Sequence, residues 1–408
     1  MGDKLKGKLV VAQSGGPTAA INSSLAGVVQ EALAHDDVIT AVYGALHGIE
    51  GVLYENLVDL GRESRETIEG LRRTPGMALG SCRHKLTPEE YERIVKVFRA
   101  HDIRYFVYIG GNDSMDTAYR VEKLAAESGY ELRAMGVPKT IDNDLAYTDH
   151  CPGYGSVARW IASSVRDSGL DTEAIGVVDK VKVIECMGRD AGWITASSAL
   201  ARDHEDAAPH LIYIPERPIN MNRLLEDVQK VYDRLGYVVV AVCEGAKGED
   251  GRTLVESTLA VDVDAFGHAQ RGGVADFLCR QIANKLGLKA RFDKPGTIQR
   301  VSVHLASPVD LEEAYLVGKM AVRHAAEGTS GKMVTLVRES DEPYRCTTGL
   351  VELEKVAGEE RLMPDEFIAE NGHDVTEAFL KYARPLIGGP LPTYARLEKY
   401  PVQKLATE

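Results

Sequence analysis

YFVYIGGNDS (105–114) decides the fold of this chain, because an apolar run ends there in two glycines before a helical pattern begins. Such a run is typical of a parallel strand whose backbone then turns so tightly that its N–H groups can face an anion. Asp113 adds a carboxylate for a cation, and Ser114 adds a hydroxyl that can cap the next helix. The stretch therefore predicts a phosphate-binding loop at the end of a strand.

A second polar loop, within GVPKTIDND (136–144), follows one helix later and at the same end of a neighbouring strand. It concentrates a cation, a hydroxyl and carboxylates, which are the groups that phosphoryl transfer needs. These groups belong to Lys139, Thr140, Asp142, Asn143 and Asp144. Each motif alone is also compatible with an ordinary glycine-rich turn or Asx-rich loop. Their occurrence one βα unit apart favours the functional interpretation.

Short β-rich runs alternate with helical patterns on both sides of these loops. The other predicted strands are LVVAQ (9–13), VITAVYGA (38–45), VKVIEC (181–186), LIYI (211–214), YVVVAVCEG (237–245) and KMVTLVRE (332–339). The predicted helices cover 19–33, 87–100, 156–168, a segment from 191, 221–235, 273–286 and 311–327. The alternation predicts parallel sheets covered by helices on both faces, in two α/β units that share a cleft.

Composition and charge limit the class of protein. A chain of 408 residues exceeds the length at which one core stops growing, so we expect two domains. Its net charge of −13 repels polyanions, which argues against nucleic acid or an anionic membrane as a partner. Neither a membrane-spanning stretch nor a signal-peptide core is visible, so we expect a cytoplasmic protein. The six scattered cysteines predict neither a zinc knuckle nor a disulfide scaffold.

Five motifs occur in a fixed order, each at a predicted strand end: SGGP (14–17), GSCR (80–83), GGNDS (110–114), PKTIDND (138–144) and MGRDAG (187–192). In content and order they resemble the phosphofructokinase family over about residues 8–340. The resemblance implies an α/β fold of two Rossmann-like three-layer domains with parallel-rich sheets and the active site in the cleft. It also implies a donor-binding domain of 1–153 plus about 300–345. Residues 154–299 plus about 346–408 would form the sugar-phosphate domain with a C-terminal extension.

The same resemblance assigns roles on the donor side. Asp142 is implied to be the base that accepts the proton of the attacking sugar hydroxyl. The implied donor-phosphate site comprises Gly15, Gly16, Gly111, Arg83 and Lys139. Arg83 is similar to a cation that bridges the phosphates, although an arginine in this position could also be a surface ion pair. Its place directly after Gly80-Ser81-Cys82 favours the bridging role.

Two positions indicate which donor is used. ATP-using members of the family have glycines where this chain has Asp113 and Lys139. A carboxylate at the first position fills the space of a nucleotide's inner phosphate, and a lysine at the second can hold a shorter donor. The pair is similar to the signature of pyrophosphate-dependent members. Where ATP-using members carry a tyrosine for adenine, this chain has Ile49. Asn112 replaces a metal-associated aspartate, so we expect Asn112 and Asp113 to share Mg²⁺.

The implied sugar-phosphate residues are Thr140, Ile141, Asp142, Lys180, Met187, Gly188, Arg189, Glu216, Arg291, Thr297 and Arg300. Two segments compete for the family's GHxQRGG stretch, in which an arginine lies nine residues before the final arginine. FGHAQRGG (266–273) matches in spelling, but Asp262 stands nine residues before Arg271. GTIQR (296–300) matches in spacing, because Arg291 stands nine residues before Arg300. Spacing favours the second segment, which leaves His268 with a structural role. Thr297 then replaces a histidine or tyrosine.

The function predicted from the sequence is reversible phosphoryl transfer from diphosphate to O1 of fructose 6-phosphate, with Mg²⁺. The catalytic group is predicted to be Asp142, Arg189, Lys139 and Asp113. Lys180 stands where the family has an arginine that crosses a subunit interface, so a homodimer or homotetramer with shared sites is expected. The alternatives are transfer from ATP and a non-catalytic sugar-phosphate sensor. Use of another sugar phosphate, such as sedoheptulose 7-phosphate, stays open.

Overall fold

The computed structural model of the chain describes residues 5–255 and 273–405. Its strands are β1 (Gly7–Gln13), β2 (Ile39–Ala45), β3 (Leu57–Asp59), β4 (Ile103–Gly110), β5 (Arg133–Pro138), β6 (Val181–Cys186), β7 (Leu211–Tyr213), β8 (Val238–Cys243), β9 (Ala290–Asp293), β10 (Lys332–Asp341) and β11 (Tyr344–Glu352). Its α-helices are α1 (Ile21–Ala34), α2 (Ile49–Leu53), α3 (Arg65–Leu71), α4 (Pro88–His101), α5 (Asn112–Glu127), α6 (Tyr154–Ile175), α7 (Trp193–Ser197), α8 (Met221–Leu235), α9 (Val274–Leu286), α10 (Ile298–Val301), α11 (Pro308–Ala326), α12 (Leu353–Val356) and α13 (Glu377–Ala383). Short 3₁₀ helices lie at Leu60–Arg62, Ser198–Ala201, Asp365–Phe367 and Pro385–Ile387.

Two sheets organise the described residues. The larger has the strand order β11-β10-β5-β4-β1-β2-β3, and the smaller has the order β7-β8-β6-β9. All pairs of the smaller sheet are parallel, whereas the larger sheet is parallel at its centre and gains an antiparallel strand at each edge. The predicted α/β fold with two parallel-rich sheets is therefore confirmed.

Both faces of the larger sheet are buried, as its apolar strands predict. On β1, Leu9 and Val11 enter one hydrophobic cluster, and Val10 and Ala12 enter the cluster on the opposite face. This alternation follows from the two-residue period of a strand whose two faces are both covered by helices. The smaller sheet is likewise packed on both faces, which gives each unit three layers.

Sequence patterns located most of the long elements. Thr87 caps α4 as predicted: its side chain accepts the Glu90 N–H, and the Glu90 carboxylate accepts the Thr87 N–H. The predicted helix over 221–235 has those bounds in the structure, with Asn220 as its cap. The helix predicted from Ala191 begins at Trp193 and ends at Ser197. The short strands β3 and β9 were not predicted.

The C-terminal part of the chain is more regular than its composition indicated. The sequence predicted a return to the second unit at about residue 345, but β11 stays in the larger sheet as far as Glu352. After that, the chain does reach the core of the second unit, where Phe379, Leu386 and Ile387 are buried. The tail is therefore part of both units.

Strand ends of the two sheets face a common cleft. Gln13 at the end of β1 pairs with Ile109 of β4, and Gly110 at the end of β4 pairs with Pro138 of β5. Their three following loops therefore start at one level of the sheet.

All six cysteines are free, and only Cys346 is not buried. Among the described residues, no helix is both long and apolar enough to cross a membrane.

Candidate active site

A cavity of about 390 Å³ opens where the loops after β1, β4 and β5 meet the ends of β6 and β8. It is lined by Ser14, Gly15, Gly16, Pro17, Thr18, Arg83, Gly111, Asn112, Asp113, Ser114, Lys139, Thr140, Ile141, Asp142, Asp144, Met187, Arg189, Glu244, Arg300, Gly358 and Glu360. Most of the predicted site residues are thus brought together. None of these lining side chains is aromatic.

Two glycines of the first loop allow cations to approach the backbone. Gly15 has a φ of +80°, and a Cβ there would lie 2.8 Å from the Lys139 Nζ. A Cβ at Gly16 would lie 2.8 Å from Nη1 of Arg300. Gly15 is favoured by its left-handed backbone, which L side chains rarely adopt, and a side chain at Gly16 would displace the end of Arg300. The result is a cradle with an ammonium and a guanidinium beside it.

Lys139 is almost fully buried, with 3% of its surface exposed, and its Nζ donates to the Gly16 carbonyl at 3.1 Å. Burial, and next the positive charge of Arg300, lower the pKa of Lys139 to about 8. The side chain is still mostly a cation at neutral pH. Since burial disfavours that charge, an anion that enters the cavity would be bound in part by relieving this cost.

Asp142 lines the cavity, and its N–H donates to Oγ1 of Thr140 at 3.1 Å. Burial, and next the negative charge of Asp144, raise the pKa of Asp142 to about 7. A carboxylate with a pKa near the working pH is suited to accept a proton in a transition state. The position and the raised pKa of Asp142 are compatible with the general-base role predicted from the sequence.

The loop after β4 supplies oxygen atoms for a metal. Asn112 and Asp113 form the first turn of α5, and Oδ1 of Asn112 is buried without a hydrogen-bond partner among the described residues. An unpaired buried carbonyl oxygen next to carboxylates matches the hard oxygen donors that Mg²⁺ prefers. The residues present therefore fit a magnesium ion, with Asp113 as the second predicted ligand.

A buried polar network holds the loop that carries Arg83. Gln13 Oε1 accepts the Leu79 N–H at 3.0 Å, and the Ser81 hydroxyl donates to the Gly15 carbonyl at 2.6 Å. The segment before Arg83 is therefore tied to the first glycine loop. Arg83 itself lines the cavity, as expected for a phosphate-bridging cation.

Ile49, which stands where ATP-using members carry a tyrosine for adenine, is 1% exposed and packs in the core, away from the cavity.

The second unit contributes Met187, Arg189 and Glu244. Gly188 has a φ of +139° and Arg189 has a φ of +52°, so the chain turns sharply after β6 and leaves the Arg189 side chain exposed. The Arg189 N–H donates to Oε1 of Glu244 at 3.4 Å. Burial raises the pKa of Glu244. The sequence reasoning missed Glu244, although an acidic residue directly after the apolar β8 was a usable signal.

The two arginines chosen by spacing occupy different places. Arg300 on α10 lines the cavity, and its buried Nε has no hydrogen-bond partner among the described residues. Arg291 lies on β9, outside the cavity, where its Nε contacts Oδ2 of Asp179 at 2.6 Å. Thr297, the N-cap residue of α10, does not line the cavity either. His268 and Arg271 of the rejected segment lie outside the described residues.

Three other predicted sugar-site residues do not line the cavity. Lys180 precedes β6, at the strand end opposite the cavity, with its Nζ 5.8 Å from the Tyr232 ring centre. Glu216 instead accepts N–H groups of Gly192 and Met363, at 2.8 and 3.0 Å. Within one chain, Glu216 therefore braces the backbone behind the site. Gly188 lies in the sharp turn between Met187 and Arg189, which both line the cavity.

The C-terminal segment reaches the site, which the sequence reasoning also missed. Gly358 and Glu360 line the cavity. Glu360 forms a β-bridge with Leu145, which directly follows residues 140–144, here called the TIDND loop. The sequence gives little signal for this contact, because the two segments are more than two hundred residues apart. It arises only through the tertiary fold.

Comparison with known proteins places these observations in a family. The phosphofructokinase family model matches residues 8–292. The pyrophosphate–fructose 6-phosphate 1-phosphotransferase of Halomonas elongata is 45% identical over 411 residues, which covers 97% of each chain. The protein of the same name from Methylococcus capsulatus is 46% identical over 391 residues, 94% of this chain and 92% of the relative. A crystal structure of pyrophosphate-dependent phosphofructokinase from Marinobacter aquaeolei superposes with a TM-score of 0.86, at 43% identity over 98% of both chains.

Proposed function

The chain belongs to the phosphofructokinase family, and we propose that it is the diphosphate-dependent enzyme, which phosphorylates O1 of fructose 6-phosphate. The products are fructose 1,6-bisphosphate and phosphate, and the reaction is reversible. The names of the relatives support this substrate pair. Because this reaction belongs to glycolysis and gluconeogenesis, we propose that the protein is located in the cytoplasm.

The buried Lys139 is the main observation that favours diphosphate over ATP as the donor. Its ammonium lies against Gly15 and Gly16, and none of the described residues that line the cavity is an aromatic residue that could stack on adenine. Asp113 adds a carboxylate where a third phosphate would be repelled. A site with a buried cation for the phosphates, and without a base-stacking side chain among its described lining residues, suits diphosphate better than ATP.

We propose a role for this chain's residues in each step of the transfer. Asp142 takes the proton from the O1 hydroxyl as O1 attacks one phosphorus of diphosphate. The new O1–phosphorus bond forms while the bond from that phosphorus to the bridging oxygen breaks, so the second phosphate leaves with those electrons. Lys139 and Arg83 stabilise the charge that develops on the phosphate oxygens. The proton on Asp142 then passes to phosphate or solvent.

The family is generally Mg²⁺-dependent, and we propose that Asn112 and Asp113 hold the ion in this chain. Bound Mg²⁺ would neutralise charge on the diphosphate oxygens. The amide oxygen of Asn112 is a neutral ligand, so Asp113 supplies the negative charge at this place. Asp113 thus serves both metal binding and donor selection.

We further propose that a second copy of the chain completes the sugar-phosphate site. Met187, Arg189 and Arg300 face the cavity from one protomer, while Lys180 and Arg291 would enter the site of a partner. Exposed apolar side chains lie beside those two cations, with Val177 85%, Val178 56% and Phe292 43% exposed. Such a mixed apolar and basic surface suits contact with another subunit and with an anionic ligand.

Initial rates with diphosphate and with ATP, at fixed fructose 6-phosphate and Mg²⁺, test the proposal. We expect kcat/KM to favour diphosphate by several orders of magnitude. A preference for ATP would overturn the donor assignment, and binding of fructose 6-phosphate without turnover by either donor would favour a sensor. Repeating the assay with sedoheptulose 7-phosphate decides the range of acceptors.

A further inference from the structure

The C-terminal segment crosses the TIDND loop with an arginine that binds backbone oxygens. Nε and Nη2 of Arg361 donate to the Asn143 carbonyl at 3.2 and 2.9 Å. Nη1 donates to the carbonyls of Thr148 and Asp149 at 2.7 and 2.5 Å. The Arg361 N–H donates to the Asp144 carbonyl at 2.7 Å. One residue therefore binds four carbonyl oxygens that follow Asp142 in the chain.

The loop needs such support because Asn143 has an unusual backbone. Its φ is +57°, in the left-handed region that side chains other than glycine adopt rarely, although asparagine tolerates it best. The buried Asn143 side chain accepts the Cys151 N–H at 2.9 Å and donates to the Tyr382 hydroxyl at 2.9 Å. Side chain and carbonyl of Asn143 are thus both held, which fixes the peptide next to Asp142.

Arg361 is itself anchored in the second unit. Its guanidinium lies 4.8 Å from the ring centre of Trp193, which is 1% exposed, and the Trp193 Nε1–H donates to the Arg361 carbonyl at 3.2 Å. A planar guanidinium can bind several carbonyls while it stacks on an indole, which a lysine ammonium cannot do. The loop next to the base is thereby tied to a rigid aromatic core.

We infer that Arg361 is a positioning residue for catalysis: it sets the orientation of Asp142 through the Asn143 and Asp144 carbonyls. This inference rests on the proposed role of Asp142 as the base. Arg361 does not line the cavity, so it does not contact the substrates within one chain. Its loss should therefore change kcat more than KM. A misplacement of about 1 Å at a reacting group can cost about a hundredfold in rate.

Steady-state kinetics of Arg361→Ala, Arg361→Lys and Tyr382→Phe, with diphosphate and fructose 6-phosphate, test the inference. For Arg361→Ala we expect kcat to fall by roughly 10- to 100-fold while both KM values stay within about threefold. Arg361→Lys should recover only part of the loss, because an ammonium cannot reach all the carbonyls. Millimolar guanidinium chloride should partly restore kcat of Arg361→Ala but not of Asp142→Asn.

Arg166→Ala is the matched control. Arg166 also binds two backbone carbonyls, those of Ala201 and Pro392 at 2.7 Å each, and lies away from the cavity. It should lose stability without a comparable loss of kcat. The inference is wrong if Arg361→Ala keeps kcat, or if Arg166→Ala loses as much. If Arg361→Ala does not fold, Arg361→Lys and Tyr382→Phe decide, since unchanged kcat in both would overturn it. If Asp142→Asn keeps kcat, the proposed function itself fails.

Discussion

The donor side and the sugar side of the cavity differ in how much of the predicted site one chain brings together. On the donor side, Gly15, Gly16, Arg83 and Lys139 all line the cavity, because their loops follow adjacent strands or are tied to them. On the sugar side, Arg300 lines it, but Arg291 points to Asp179 instead. Local strand-end motifs thus bring the predicted donor residues together within one chain, whereas we propose that the sugar site is completed by a second copy.

The largest expected effect concerns Asp142, at the border between the two sides. Asp142→Asn should lower kcat by roughly two to four orders of magnitude, because it removes a positioned general base. The KM for fructose 6-phosphate should change little. Steady-state kinetics check this, with circular dichroism to show that the variant is folded. A variant with wild-type kcat would show that Asp142 is not the general base.

Arginine substitutions test which arginines bind the phosphate of fructose 6-phosphate. Arg300→Ala and Arg291→Ala should each raise the KM for fructose 6-phosphate roughly tenfold or more, since each loses a charge-assisted bond of about 1.5 to 3 kcal/mol. Arg271→Ala, from the rejected segment, serves as the control and should not raise it. Arg291→Ala should act only in an assembled protein, so the oligomeric state is measured with each assay. A KM controlled by Arg271 alone would show that spacing misled the alignment.

The pH profile should carry one limb from each of two buried groups on the donor side. Asp142 must be deprotonated, and its pKa of about 7 makes kcat/KM for diphosphate fall below that pH. Lys139 must be protonated, and its pKa of about 8 makes kcat/KM fall above that pH. The profile should therefore be bell-shaped and narrow.

Asp144→Asn sharpens this assignment, because the charge of Asp144 raises the pKa of Asp142. Its removal should move the acidic limb to lower pH by less than about one unit, the smallest of these effects. Measurement of kcat/KM across the pH range in both proteins decides the point. An acidic limb that does not move would exclude Asp142 as the titrating group.

Particular residues show what the sequence could and could not predict. The α4 capping box and the α8 bounds follow from local patterns, and so do the glycine loops at the strand ends. Arg361 and Glu360 could not be found this way, because their contacts join distant segments. Glu244 lies near the end of the predicted strand 237–245, so the sequence could have indicated it. The sequence did not show that Arg300 alone of the two arginines would line the cavity, because this follows from the tertiary fold.

We attribute the donor preference to Asp113 and Lys139, and kinetics of variants at these two residues test that assignment. We would measure kcat/KM for diphosphate and ATP in the wild type, Asp113→Gly, Lys139→Gly and the double variant. Lys139→Gly should chiefly lose diphosphate use, by roughly ten- to a hundredfold for one charge-assisted bond. Asp113→Gly should gain weak ATP activity, and the double variant should shift further towards ATP while staying a poor ATP enzyme.

In the wild type, we expect diphosphate to be the better donor by a wide margin. A wild type that prefers ATP would contradict the account outright. An Asp113→Gly variant with no gain in ATP use would contradict the exclusion of nucleotide by that carboxylate.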